Sequence, residues 1–243
     1  MPARRPANKT PACYAQTTPG LESVAASEIR EKLGGEIIKT SPGMVVFRVE
    51  EIDDRLLRLQ TIEDVFLLAW GTDELTRRAA DLELIQRWTA EKPDWAELLR
   101  LHHSIRPKPK GTPSYWLVVQ QEGRQVYQRH SARKSLIRGL EKVINPRWKV
   151  QEELADLEVW LSISEQQAVC GVRLSDRTMR HRTWKKEHRP ASLRPVVAAA
   201  MARQMEAALP QRFGLGVKGQ RHIQRLRRTL PSVVIGGGSN AAG

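Results

Sequence analysis

The succession of apolar patterns in the first third of the chain restricts its fold more than any other feature. In "CYAQTTPGLESVAASEIREKLGGEIIKTSPGMVVFRVEE" residues 14–17 read as a short strand. Thr18 is placed to cap a helix with Pro19 at its first position. Leu21, Val24, Ala25, Ile29 and Leu33 then recur at helical spacing until Gly34-Gly35 stops them. Residues 36–40 and 44–49 read as strands around Ser41-Pro42-Gly43, a turn signal. Ile52, Leu56 and Leu59 return to a helical period, and "EDVFLLAWG" is a last strand. A β-α-β-β-α-β order over residues 13–72 predicts a ferredoxin-like unit, so the class is α/β in the broad sense and α+β in detail. By itself that unit specifies no chemistry.

The next stretch repeats the mixture. Leu82, Leu84, Ile85 and Trp88, then Trp95, Leu98, Leu99 and His102, give two helices divided by Pro93. "RPKPKGTPS" is a basic loop carrying Lys108 and Lys110, and "YWLVVQQEG" is a strand. "SARKSLIRGLEKVINP" predicts a helix with Ser131 as cap and Asn145-Pro146 as stop. Leu136, Ile137, Leu140, Val143 and Ile144 form its apolar stripe, while Lys134, Arg138 and Lys142 align at i, i+4 and i+8 on another face. "DLEVWLSIS" and "QAVCGVRL" are two strands joined near Glu165-Gln166. No internal repeat or low-complexity tract occurs.

Charge separates the halves. Residues 1–100 hold 14 Lys+Arg against 17 Asp+Glu, a net of −3, whereas residues 101–243 hold 26 against 10, a net of +16. That asymmetry is the electrostatic footprint of polyanion binding; solubility is the bland alternative. Residues 101–150 alone carry 11 Lys+Arg against 2 Asp+Glu. Phosphates reward such a stripe through counterion release, which singles out Arg129, Arg133, Lys134, Arg138 and Lys142. A solvated helix face, by contrast, normally mixes both signs. A second basic run, Arg177, Arg180, Arg182, Lys185, Lys186 and Arg189, follows the last strand, and residues 175–190 read as a linker. Trp148, His130, His181, Trp184 and His188 offer rings that stack on unpaired bases; a core position is the alternative for each tryptophan. After the linker Leu193, Val196, Val197, Ala200 and Met201 resume helical spacing.

Other chemistries find little support. Cys13 and Cys170 are the only cysteines, which gives no disulfide framework and no zinc spacing and fits a reducing cytoplasm. Cys170 lies in a strand pattern and reads as core rather than nucleophile. None of six histidines stands in a metal-binding spacing, and no G-x-S-x-G occurs. No run approaches the ~18 apolar residues of a membrane span. "MPARRPANKTPAC" lacks the apolar centre of a secretory signal, and residues 1–12 read as a disordered basic tail.

Taken in order, "YWLVVQQ…HSARKSLIRGLEKVI…DLEVWLSISEQQAVCGVRLS" resembles a THUMP domain, placed at residues 73–174 behind its ferredoxin-like partner. "LSDRTMRHRTW…PASLRPVVAAAM" is similar to the junction of THUMP-containing RNA guanine-N2 methyltransferases, where roughly Leu-His-Arg-Arg-Gly-Tyr and then Ala-Pro-Leu-Arg precede a Rossmann-like catalytic domain. The matching positions are Met179 through Trp184, and Ala191, Ser192, Leu193 and Arg194. The resemblance covers residues 14 to about 207. It implies a module that grips tRNA or structured rRNA, with S-adenosylmethionine as the family's cofactor. It also implies an RNA-facing role for Arg180, His181, Arg182, Trp184, Lys185, Lys186 and Arg189.

The remainder departs from that family. The family carries Asp-Pro-x-Cys-Gly-x-Gly-Thr at its cofactor loop and later an Asn/Asp-Pro-Pro-Tyr/Phe catalytic loop. Here "GLGVKG", with Gly214, Gly216 and Gly219, meets only the glycine spacing, and no Pro-Pro pair occurs anywhere. Residues 191–243 therefore read as the incomplete start of a methyltransferase domain, with Ser192, Leu193, Arg194 and the three glycines as cofactor-site remnants. The expectation is an RNA-binding chain that binds no cofactor and transfers no methyl group. The rivals are an active enzyme, using a divergent cofactor loop or a separate catalytic chain, and a basic scaffold that binds protein.

Overall fold

Alternation sets the layers. In β1 (Cys13–Gln16), β3 (Met44–Arg48) and β4 (Asp64–Thr72), the buried Cys13, Ala15, Val45, Phe47, Val65 and Leu67 share one face of the sheet. Tyr14, Val46 and Phe66 lie on the other. The computed structural model describes residues 10–152, 154–175, 179 and 193–212. Among them, eight strands and five helices make a mixed α/β fold.

The remaining strands are β2 (Glu36–Ser41), β5 (Ser114–Glu122), β6 (Lys149–Val150), β7 (Leu157–Ser164) and β8 (Gln167–Arg173). They form one sheet in the order β2-β3-β1-β4-β8-β7-β5-β6. Every neighbouring pair is antiparallel except β5 with β6 and β5 with β7. Thus the stretches 13–72 and 73–174 share a sheet, joined where β4 pairs with β8. Helices α1 (Glu22–Leu33), α2 (Asp81–Glu91), α3 (Trp95–Ile105) and α4 (Arg129–Leu140) cover the first face. They do so through Ala25 and Ile29, Ile85, Leu98 and Leu101, and Leu136 and Leu140, all in one apolar cluster.

The second face closes on itself. The amide of Gln16, at the end of β1, donates to the side chain of Gln120 on β5 at 3.4 Å, although β4, β8 and β7 lie between them. The sheet therefore coils strongly enough to enclose a small core of Tyr14, Val46, Phe66, Trp160 and Val169. Tyr14 stacks on Phe66 with ring centroids 4.5 Å apart, and Trp160 tilts against Phe66 at 5.5 Å. A side chain on Gly171 would stand 2.6 Å from the Tyr14 ring and 2.4 Å from the Leu67 carbonyl, so this β8 position must be glycine.

Several local expectations shift. Thr18 does not cap α1: its carbonyl accepts from Leu21 N–H at 3.0 Å, with Gly20 at φ +92°, so Pro19-Gly20 is a turn and the helix starts at Glu22. Gly34, at φ +65°, does close the helix. The helical stretch expected over 51–60 is only a 3-10 turn, Asp54–Arg58, started by the Asp53 side chain accepting from Arg55 N–H. Ser131 lies inside α4, whose N-cap is Gln128, and Lys142 falls in the turn beyond it. Strand β6 had no sequence signal. Of the expected tail, Thr10 bonds Glu50 and Arg48, and the Ala12 carbonyl accepts from Leu68, so residues 10–12 are tied to the sheet just before β1.

The last helix, α5 (Pro195–Arg212), packs on α1 by burying Val196 and Ala200, with Arg203 paired to Glu31 at 2.6 Å. Also on α1, the fully buried Glu28 carboxylate accepts from the N–H groups of Gln60 and Thr61, from the Thr61 hydroxyl at 2.6 Å and from Lys32 at 2.8 Å. Burial pushes its pKa up, but the bonds from Lys32, Thr61 and Gln60 outweigh that and hold it below the usual carboxylate range.

Two predictions follow from this packing. Glu28→Ala orphans two amides and a hydroxyl and should cost about 3 kcal/mol in urea unfolding at pH 7. Because the folded pKa is depressed, that contribution is complete above the unfolded value of about 4.3 and is lost as pH falls through the folded pKa. The gap between wild type and variant should therefore shrink in acid. Gly139→Ala would put a methyl 2.7 Å from both the Gln86 carbonyl and Thr89 Cβ, forcing α4 off α2. A loss of about 1–3 kcal/mol is expected, read as a lowered Tm.

Candidate nucleic-acid interface

The sequence of α4, "RHSARKSLIRGL", turns Ala132, Ser135, Leu136, Gly139 and Leu140 inward. By the same period Arg129, His130, Lys134 and Arg138 face solvent, and Lys142 is exposed just past the helix. The exposed row extends over roughly 20 Å at 1.5 Å per residue. Its first turn holds no acid and the Gln128 side chain makes no cap bond, so positive charge accumulates where the helix dipole disfavours it. Local helix stability does not explain this choice of residues.

The row is also unneutralised. Among the described residues, Arg129, Lys134, Arg138 and Lys142 make no ion pair. Cations in the N-terminal half commonly do: Arg55 with Asp53, Arg58 with Asp54, Arg100 with Glu97, and Lys39 with Asp73. Lys108 and Lys110 are exposed in the loop 106–113, which leads into β5. The Pro113 carbonyl accepts from Lys149 N–H at 3.0 Å, so that loop meets the segment after α4 at the start of β5. Lys108, Lys110 and Lys142 thus flank one end of the sheet, and Arg129 lies at the far end of α4.

Arg133 behaves differently from its neighbours. Its guanidinium lies over the Trp116 ring, 4.3 Å from the centroid, and its Nε is buried without a hydrogen-bond partner. Sequence reasoning placed Arg133 in the row but gave Trp116 no role; helix and strand periods carry no signal for a contact between them. Of the other rings, His130 is exposed and Trp148 packs partly against the main core.

Arg180, His181, Arg182, Trp184, Lys185, Lys186 and Arg189 lie outside the described residues, as do Ser192, Gly214, Gly216 and Gly219. Of the expected cofactor positions, Leu193 is exposed and Arg194 pairs with Glu63 at 3.5 Å. Leu193 and Arg194 immediately precede α5, and the Glu63 contact places Arg194 by the start of β4, in the middle of the sheet.

Nucleophilic chemistry has no foothold in the cysteines. Cys13 and Cys170 are free and fully buried, and desolvation raises both thiols, Cys13 to about 12. His102 is buried, with Nδ1 unpartnered, and desolvation, then His103 and Arg106, lowers its pKa to about 4. It is a neutral core histidine at pH 7. Among the described residues no His, Cys, Asp and Glu group could hold a metal, and no helix is long and apolar enough to cross a membrane.

No family model matches the chain, and no curated protein does. Solved structures do share its fold. TrmN from Thermus thermophilus superposes with a TM-score of 0.62 at 22% identity, covering 81% of this chain and 55% of that one. A structure named as a predicted N6-adenine-specific DNA methylase from Listeria monocytogenes gives 0.60 at 14% identity, covering 80% and 48%. SMU.472, which carries the name of a methyltransferase and was solved complexed with SAH, gives 0.57 at 14%, covering 82% and 49%. The chain thus spans about half the length of these structures. What the likeness establishes is a fold also found in proteins named as methylases.

Proposed function

We propose that this chain binds structured RNA, tRNA or an rRNA element, as the recognition portion of an S-adenosylmethionine-dependent RNA guanine-N2 methyltransferase lineage. In this reading β1–β4 with α1 are the ferredoxin-like unit, and β5–β8 with α2–α4 are the THUMP unit. The observation that carries it is the bare cationic row Arg129, Lys134, Arg138 and Lys142, with Lys108 and Lys110 at one end of the sheet. Each phosphate neutralised there releases condensed counterions, which makes affinity strongly salt-dependent. The fold shared with one protein named as a DNA methylase and another named as a methyltransferase, the latter solved with SAH, supports the lineage. The unpaired, buried cysteines suit a cytoplasmic setting.

Recognition rather than chemistry is assigned to this chain because its sequence contains no Asn/Asp-Pro-Pro-aromatic loop. Such a loop would hold the target amino group and stack on its base.

A filter-binding titration of purified tRNA against salt tests the reading. The log-log plot should fall steeply, and Lys134→Glu with Arg138→Glu should weaken binding by at least about tenfold at 0.1 M salt and flatten the slope. A wild-type slope near zero would reject phosphate-led binding. Labelled S-adenosylmethionine incubated with the chain and tRNA should leave no methyl on the RNA; incorporation would make the chain an enzyme in its own right.

A further inference from the structure

Within the proposed RNA surface one cation is built differently from the rest. Arg129, Lys134, Arg138 and Lys142 are exposed, whereas Arg133 is half-buried and its guanidinium carbon lies over the Trp116 ring, 4.3 Å from the centroid. Trp116 alternates with Tyr115 and Leu117, which face the helices, so it belongs to the opposite side of the sheet. Arg133 reaches it past the outer edge of β5, because β6 pairs only with Ser114 and Tyr115.

Among the described residues Arg133 makes no ion pair. Across the sheet Trp116 is in register with Glu158, but Glu158 Oε2 is taken by Arg173 at 2.9 Å and by the Trp160 indole at 2.9 Å. Arg133 Nε is shielded and has no acceptor, while Arg129 and Lys134 add like charge beside it. An arginine lying over an aromatic face, with no carboxylate partner among the described residues and with other cations around it, offers its two Nη groups, not the shielded Nε, as a fork for an anion with two oxygens.

Resting on the RNA-binding reading, we infer that Arg133 is a fixed bidentate anchor for one RNA phosphate and that Trp116 is its positioning residue. The flexible lysines and arginines around it supply non-specific attraction. Arg133 sets where the backbone sits, since its stacked side chain has little rotamer freedom left to lose on binding. The simpler alternative is that Arg133 only plugs the open edge of β5, a structural use of charge at sheet edges.

The two roles separate experimentally, because Trp116→Leu removes no charge. If Trp116 positions a phosphate anchor, Trp116→Leu should lower tRNA affinity about tenfold at 0.1 M salt. It should also make the log-log salt slope shallower by about 0.7–0.9, the value of one phosphate. Arg133→Lys keeps the charge but loses the fork and the stack, so it should bind several-fold more weakly with its Tm near wild type. An Arg58→Lys control, at an exposed arginine paired with Asp54 in the N-terminal half, should bind as wild type. If both Trp116→Leu and Arg133→Lys lower Tm yet keep wild-type affinity and slope, Arg133 is an edge plug and the inference falls. Should Trp116→Leu unfold the chain, Arg133→Lys decides alone. Loss of binding only in Lys134→Glu with Arg138→Glu would sink the anchor and leave the RNA-binding reading standing. A wild-type chain that binds no tRNA would sink both.

Discussion

The buried pair of Asp64 and Arg173 holds the seam on which the remaining architecture depends. Asp64 Oδ1 accepts from Arg173 Nε at 3.0 Å, from Arg173 Nη2 at 2.6 Å and from the Ser175 hydroxyl at 2.8 Å. Arg173 reaches on to Glu158, and its guanidinium lies 5.3 Å from the Trp160 ring. One arginine therefore ties β4, β8 and β7 together where the two four-stranded halves meet. Burial acts to lower its pKa, but Asp64 and Glu158 overcome this and hold it above its ordinary value. Such a pair adds little net stability over an apolar substitute, but removing one partner leaves an uncompensated buried charge. Its contribution is registry: β4 and β8 can meet in only one alignment.

From that alignment the coiling of the sheet follows. Register at β4–β8 places Phe66 against Arg173 and Leu68 against Gly171, and a bulge after Leu68 adds local twist. The coiled second face then buries the stacked Tyr14 and Phe66 without any covering helix from α1 to α4. With its concave side filled by its own side chains, the sheet commits all four of those helices to the opposite face. This sets α4 beside β5, which only the two-residue β6 flanks on its outer side, with the charged side of α4 turned outward. Position, rather than charge alone, leaves the α4 row exposed and without an ion pair among the described residues.

Much of this was legible in the sequence. Apart from β6 and the 3-10 turn at 54–58, the order of strands and helices and the inward stripe of α4 follow from local periods of two and 3.6 residues, and the stop at Gly34 from glycine's access to a positive φ. The exposed cations Arg129, Lys134, Arg138 and Lys142 were legible for the same reason, since an inward stripe defines its complement. Boundaries were less so. Thr18-Pro19 has the chemistry of a helix start but is a turn, because Glu22 bonds the Gly20 and Gly43 amides and begins the helix one turn later. The apolar period at 51–60 was satisfied by a five-residue 3-10 turn, since three anchors suffice to cover a short gap beside β4.

The sequence by itself determined which side chains each element would turn inward and that positive charge would gather after residue 100. Those are local properties, fixed by covalent spacing and by the cost of burying charge. Only the tertiary structure decided that both halves share one sheet, that its second face closes over aromatic rings, and that Trp116 meets Arg133. These contacts join residues far apart in the chain, and their partners are chosen by strand register and sheet coiling, which no local period encodes.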